Sequence, residues 1–401
     1  MPGRKPDSDL MRIGLVAQGG TVWEGGREYL RNLALAVSLA ENSENHEISL
    51  LLDKAAGAAD FEMIPAAIRR VAYGSYKTPP TPFFQKLKQR LSQDPKHRWA
   101  SRHERWLTEE LGLEFVYPCN DYSRLSERTR CASWIPDFQH KYLAEFFEAR
   151  EIETRDAQFS AIAARARAIV FSSEAARSDF QKFYPGSQAR QHVLRFRSIP
   201  DEEWYSADAE AVRAKYRLPE RFFLICNQLW AHKNHKLALS ALSHLKEQGV
   251  KPPVVLTGPV RDYRNESFID ELLQTIQSLG LHEQVHVLGR VPKVDQMQLV
   301  RLSLALVQPS LFEGWSTVVE EARCFGKKMY ISNLPANLEQ DPAHVQYFDP
   351  GDVDALADLL AEGWANLAAG PDPEREAEGR ELNGRQAREF GQTFLEIASA
   401  R

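Results

Sequence analysis

The stretch SLFEGWSTVVEEARCFGKK, residues 310–328, sets Glu313 against Gly314 and places a second acidic pair, Glu320–Glu321, one helical stretch later. It follows the apolar run LALVQP, so Glu313 stands where a buried strand ends and Glu321 inside the next helix. That helix is expected to start at Ser316 or Thr317 and to stop before Gly326. A helix start offers unpaired N–H groups and a positive dipole end, which suit a phosphate. Gly314 lets backbone come close to a ligand, because no Cβ intervenes. Glu321 lies beside Ala322 and one turn from Val318 and Phe325, near the inner face, where a carboxylate requires a partner. Ribose hydroxyls fit, since an ionised carboxylate can accept two of them. Glu313 then faces the group beyond the phosphates. A plainer reading makes Glu313 a solvated turn residue and pairs Glu321 with a neighbouring cation. Thr317 and Glu320 also have capping-box spacing, which would give Glu320 a structural job.

The segment CNQLWAHKNH, residues 226–235, follows another apolar run. Its Lys233 stands in a loop before a helix from His235 and is placed to neutralise a diphosphate. His232 and His235 lack carboxylates spaced to complete a metal site, so capping or polar packing is expected of both. TGPVRDYR and LGRVPKVDQ add two glycine-containing turns after strands.

These residues need a scaffold that gathers strand ends. RIGLVA, EISLLLD, LEFVYP, CASWIPD and ARAIVFSSE read as strands in the first half, with a helix over GGREYLRNLALAVSLAEN. FFLICN, PVVLTG, QVHVLG, LALVQP and KMYIS repeat the pattern in the second half, with helical segments between them. Strands alternating with helices predict α/β architecture with parallel, doubly wound sheets. Four units are expected: a lead-in over 1–10, a first domain over 11–205, a second over 206–375, and a C-terminal helix over 376–401. Two such sheets face each other across a cleft, because open α/β sheets bind ligands at their strands' carboxyl ends. GLVAQGGTVWEGG lacks GxGxxG spacing, which argues against NAD.

The 401 residues exceed one ordinary core. A net charge of −5 argues against a dedicated nucleic-acid binder. Cys119, Cys131, Cys226 and Cys324 show no CxxC spacing, which fits a reducing cytosol. No signal peptide and no apolar run of about 20 residues is visible, so a cytoplasmic chain that does not cross a membrane is expected.

PSLFEGWSTVVEEARCFGKKMYIS resembles the E-x7-E signature of retaining family 4 glycosyltransferases, with Glu313 and Glu321 as its glutamates. NQLWAHKNH resembles the same family's phosphate-binding loop, with Lys233 as its lysine. SNLPANLEQDP with YFDPGDVDALADLL, VWEGGREYLRNL with its Gly-Gly loop, and IVFSSEAARSDF resemble further family segments. Two departures stand out. Gln228 occupies the place of a frequent arginine, and in WIPDFQHKYL Pro136 takes the place of a histidine before Asp137. His140, three residues on, is a candidate replacement, with a helix-capping histidine as the alternative.

The resemblance implies a GT-B fold and transfer of a sugar, with retention, from a nucleotide diphosphate sugar to an acceptor hydroxyl, without metal or other cofactor. It implies catalytic roles for Glu313, Asp137 and His140. Lys233, Gln228 and the backbone of Gly314, Trp315, Ser316 and Thr317 would meet the diphosphate, and Glu321 the ribose. Arg290 and Val291 would flank the base, and Gly25 and Gly26 would let the first domain close. The acceptor would be a glycan or a lipid-linked sugar in cell-surface polysaccharide or glycolipid assembly. The basic aromatic stretch 82–106 suits peripheral contact with an anionic membrane, or else a core-facing helix with a solvated basic side. The rivals are a sugar-nucleotide epimerase of GT-B fold, a phosphorylase, and a degenerate GT-B binding protein.

Overall fold

The structure, a computed structural model, describes residues 10–17, 24–41, 43–52, 68–72, 111–119 and 129–400. Residues 1–9 of the polar lead-in and the basic stretch 82–106 lie outside them.

The first domain holds β1 (Met11–Val16), β2 (His46–Leu52), β3 (Arg69–Ala72), β4 (Phe115–Tyr117), β5 (Arg130–Cys131), β6 (Ser133–Ile135), β7 (Ala168–Phe171) and β8 (Arg190–Val193). They form a five-stranded sheet β3-β2-β1-β4-β5 and a three-stranded sheet β6-β7-β8, all parallel. One extended segment joins the two. Ala132 donates its N–H to Val116 (3.3 Å) and accepts from the Cys119 N–H (2.8 Å), so 130–135 leaves β4 and reaches β7 without a turn. Around these strands lie α1 (Glu24–Leu39), α2 (Gln139–Tyr142), α3 (Ala149–Arg165) and α4 (Glu174–Phe183). Parallel strands covered on both faces need continuous apolar runs, and β7, AIVF, is buried throughout.

Two short helices, α5 (Glu203–Ser206) and α6 (Ala209–Lys215), follow the crossing between domains and pack Trp204 and Val212 on the second core. The second domain contains β9 (Phe223–Cys226), β10 (Val254–Thr257), β11 (Val285–Gly289), β12 (Leu306–Gln308), β13 (Met329–Ser332) and β14 (Val345–Phe348). Its helices are α7 (His235–Glu247), α8 (Phe268–Ser278), α9 (Lys293–Leu302), α10 (Thr317–Arg323), α11 (Pro335–Gln340) and α12 (Val353–Asn366). The parallel sheet runs β11-β10-β9-β12-β13-β14. Strand order reverses between β9 and β12. The loops leaving those two strands therefore part in opposite directions and open a crevice at their carboxyl ends.

The C-terminal helix, α13 (Pro373–Ser399), spans both domains. A Cβ at Gly379 would stand 2.8 Å from the Arg323 and Cys324 carbonyl oxygens, at the end of α10. One at Gly391 would overlap the Ala36 carbonyl oxygen of α1. Phe390, Phe394, Leu395, Ile397 and Ala398 complete the first domain's core beside Leu30, Leu33 and Tyr117. The C-terminal helix therefore packs against both domains.

Candidate active site

The crevice between β9 and β12 carries the site. The loop after β9 turns through 231–233, Asn234 takes a left-handed conformation (φ 57°), and α7 begins. Gly258, leaving β10, allows this loop to pass: a Cβ there would overlap the Asn227 carbonyl oxygen. Lys233 is delivered to the crevice and meets Glu313 from the β12 exit, Nζ to Oε1 2.6 Å. Their side chains are 13% and 8% exposed. Gln308, the last residue of β12, donates Nε2–H to Glu313 Oε1 (2.7 Å) and to Ser316 Oγ (3.2 Å), and accepts from Asn227 Nδ2 (3.1 Å). A cation, a carboxylate and two amides thus converge where strand order reverses.

The first domain reaches the same place. A Cβ on Gly314 would lie 2.6 Å from the Pro136 carbonyl oxygen and 2.7 Å from the Asp137 Cβ. Gly314 is required because the exit of β6 passes over it. Asp137 is fixed by accepting the Gln139 N–H, 2.9 Å. Asp137 therefore faces the Glu313–Gly314 loop.

Other expected residues lie differently. His140 is 1% exposed and stacks among Phe138, Phe147 and Phe159, with Nε2 3.0 Å from Asp156 Oδ1. Burial lowers its pKa, against the raising effect of the Asp156 hydrogen bond. The ring is packed in the first domain's interior. Ser316 is 3% exposed: its N–H goes to Gln340 Oε1 (3.0 Å) and its hydroxyl accepts from Gln308. Its expected phosphate contacts are thus taken by protein groups, leaving Thr317, half-buried at the first turn of α10, at the opening. Trp315 turns to the first domain, Nε1 to the Phe196 oxygen 3.0 Å, and is a strut between domains rather than a pocket wall. Glu320 forms no capping box with Thr317. It is fully buried, accepts two bonds from Arg197 (2.9 and 3.0 Å) and one from Gln340 (2.9 Å), and lies 3.4 Å from Arg323.

Glu321, 2% exposed, is ion-paired with Lys293 at the start of α9. The cation pairing weighed in the sequence is the arrangement observed. The Glu321 charge reaches Cys226 beneath: burial foremost, then that charge, push its thiol up to about 11. Arg290 is exposed and Val291 half-buried in the turn between β11 and α9, with β10 lying between β11 and β9. Gln228 is half-buried at the β9 exit. Gly25 and Gly26 lie in the first turn of α1, not in a loop. His232 and His235 are buried, and burial lowers both pKa values, His235 to about 3. Among the described residues no group of histidine, cysteine, aspartate or glutamate is arranged to hold a metal.

Lys293, Gln308, Asn227 and Gln340 were not anticipated. Lys293 had a signal, a cation just after the LGRVP turn at a strand's carboxyl end. The amides had none, because their roles exist only once β9, β12 and α11 are neighbours.

Residues 208–366 match the family of glycosyl transferases group 1. A putative glycosyltransferase, EpsF, of Bacillus subtilis is 29% identical over 147 residues, 36% of this chain and 35% of that protein. The serotype-specific mannosyltransferase WbdA of Escherichia coli is 24% identical over 267 residues, 65% of this chain and 30% of that protein. The chain thus spans about a third of the length of these relatives. Anabaena Alr3699/HepE, solved with UDP and glucose, superposes with TM-score 0.66 at 17% identity, covering 98% of this chain and all of that one. The chain has the GT-B fold, and the segment that carries its crevice matches the glycosyl transferases group 1.

Proposed function

We propose that the protein is a retaining glycosyltransferase that moves a sugar from a nucleotide diphosphate sugar to an acceptor hydroxyl in cell-surface polysaccharide or glycolipid assembly. The supporting observation is the Lys233–Glu313 pair at the β9/β12 reversal, overhung by Pro136–Asp137. A lysine held against a carboxylate is poised to exchange that partner for a diphosphate, which frees Glu313 for the hydroxyls of the transferred sugar. As the bond from the anomeric carbon to the diphosphate breaks, the ammonium meets the growing charge on the leaving oxygen in a site with little water. The acceptor oxygen forms the new bond to the anomeric carbon and passes its proton to the departing diphosphate oxygen. Lys293 holds Glu321 in place for the ribose, and Arg290–Val291 flank the base. No metal step is required, because Lys233 and the first turn of α10 carry the leaving-group charge. The acceptor enters from the first domain's side. The protein works in the cytoplasm, and 82–106 provides its contact with a membrane.

The test is thermal stabilisation by UDP, GDP, ADP and dTDP in EDTA, followed by anomeric analysis of the product. A ligand at about 100 times its Kd adds nearly 3 kcal/mol. A rise with one diphosphate, absent in Lys233→Met, supports the reading. Donor consumption without acceptor would instead indicate an epimerase. No rise with any nucleotide in a folded sample would favour a degenerate binding protein, with Gln228 and Pro136 as the causes.

A further inference from the structure

Cys119 and Cys131 lie twelve positions apart in sequence and next to each other in space. Cys131 is the last residue of β5, paired in register with Val116 of β4. Cys119 follows β4 and donates its N–H to Ala132, the residue after Cys131, at 2.8 Å. The Cys119–Ala132 backbone bond closes the two segments together one residue beyond Cys131. Both side chains pack on the same apolar cluster of Leu51, Val71, Leu111, Leu113 and Val116, so they share one face of the sheet. Their thiols are hydrogen-bonded to each other, and that bond, ahead of burial, raises the Cys131 pKa. Neither is in a disulfide and both are half-buried, within reach of a small reagent. Cys226 and Cys324 are buried in the second domain's core.

We propose that Cys119 and Cys131 form a reversible dithiol–disulfide couple at one edge of the first domain's five-stranded sheet. The partner is a low-molecular-weight disulfide. One protein thiolate attacks a sulfur of that reagent, forms a mixed disulfide and releases one small thiol. The second protein thiol then displaces the second small thiol. The two cysteines lose two hydrogens and two electrons, and the reagent is reduced to two thiols. Cys119, in the exit of β4, attacks first, and Cys131, held within β5, resolves. Cys119 stands at the carboxyl end of β4, beside β5 at one edge of the five-stranded sheet, and the segment carrying Cys131 runs on through β6 to Asp137 over Gly314. The bridge ties the exit of β4 to β5 at that edge.

The experiment treats the reduced, folded protein with oxidised glutathione and follows intact mass and linked peptides. The expected result is loss of two hydrogens, a Cys119–Cys131 linked peptide, and full reversal by dithiothreitol. Cys226 and Cys324 stay reduced. Cys131→Ser should instead stop at a stable glutathione adduct on Cys119. Two results overturn the proposal: a lasting mixed disulfide on the wild-type protein, or an unchanged mass when the urea-unfolded chain bridges in the same buffer.

Discussion

Lys233 and Glu313 are 80 positions apart and meet only because β9 and β12 are neighbours. Their types were legible as strand-end residues, but their contact was not, since nothing local connects them. The contact separates stability from chemistry. Lys233→Met leaves Glu313, among the described residues, with the Gln308 amide alone in a nearly closed site, which costs roughly 1–3 kcal/mol. The Lys233→Met/Glu313→Gln double variant should recover most of that in urea unfolding, because the orphaned charge is gone. Both should lose about 100-fold or more in turnover, as expected when a leaving-group contact is removed. Recovery of turnover in the double variant would remove Lys233 from the mechanism. A second buried charge predicts a pH effect. Lys327 is 9% exposed, donates to the Arg301 carbonyl (2.8 Å), and burial lowers its pKa to about 7 from 10.5. Between those values the unfolded chain binds more protons than the folded one, so stability rises with pH across pH 7 to 10.5. Lys327→Met should flatten this rise, by on the order of a few kcal/mol over the window. An unchanged slope in the variant would show that Lys327 is charged in the fold.

Elements were legible where burial is complete. FFLICN and PVVLTG read correctly because parallel inner strands are apolar on both faces, and β9 and β10 are buried throughout. β8 was missed because RQHV is a polar, half-exposed edge strand. β14, VQYF, is half-exposed for three of its four residues and lies at the other sheet's edge. α10 was placed almost correctly from Gly326, whose φ of +56° ends it. Its capping was misread, because Gln340 comes from α11 and Arg197 from the interdomain crossing, which local spacing does not reveal. The loop between β12 and α10 makes its own prediction. In Gly314→Ala the new methyl meets the backbone of Pro136, which must withdraw. Turnover should fall about 10- to 100-fold, since a displacement near 1 Å is enough. Diphosphate affinity, which rests on the second domain, should hold. Equal losses in both would place the diphosphate against the first domain as well.

The whole molecule depends on contacts that run both ways between domains. Glu339, from the second domain, accepts the N–H groups of Glu174 (2.9 and 2.7 Å) and Ala175 (3.3 Å) at the start of α4 in the first. It also accepts from Arg195 Nε, 2.9 Å. On the other side, α13 returns to place Phe390, Phe394, Leu395 and Ile397 in the first domain's core. Each such side chain contributes roughly 1.5–3 kcal/mol when fully buried, so the four add about 6–12 kcal/mol as an upper bound. That equals the whole net stability of a typical domain, about 5–15 kcal/mol. Residues 1–205 expressed alone should therefore lack cooperative thermal unfolding, and adding a peptide of residues 373–399 should restore it. Gly391→Ala probes the same contact in the full chain. Its methyl would enter the Ala36 carbonyl, α13 would lift from α1, and unfolding should cost about 1–3 kcal/mol less. Calorimetry should show that loss in the first domain's transition, with the second domain's transition unmoved. A cooperative melt of residues 1–205 without the peptide would show that the first domain closes its core unaided and that α13 is only a strap.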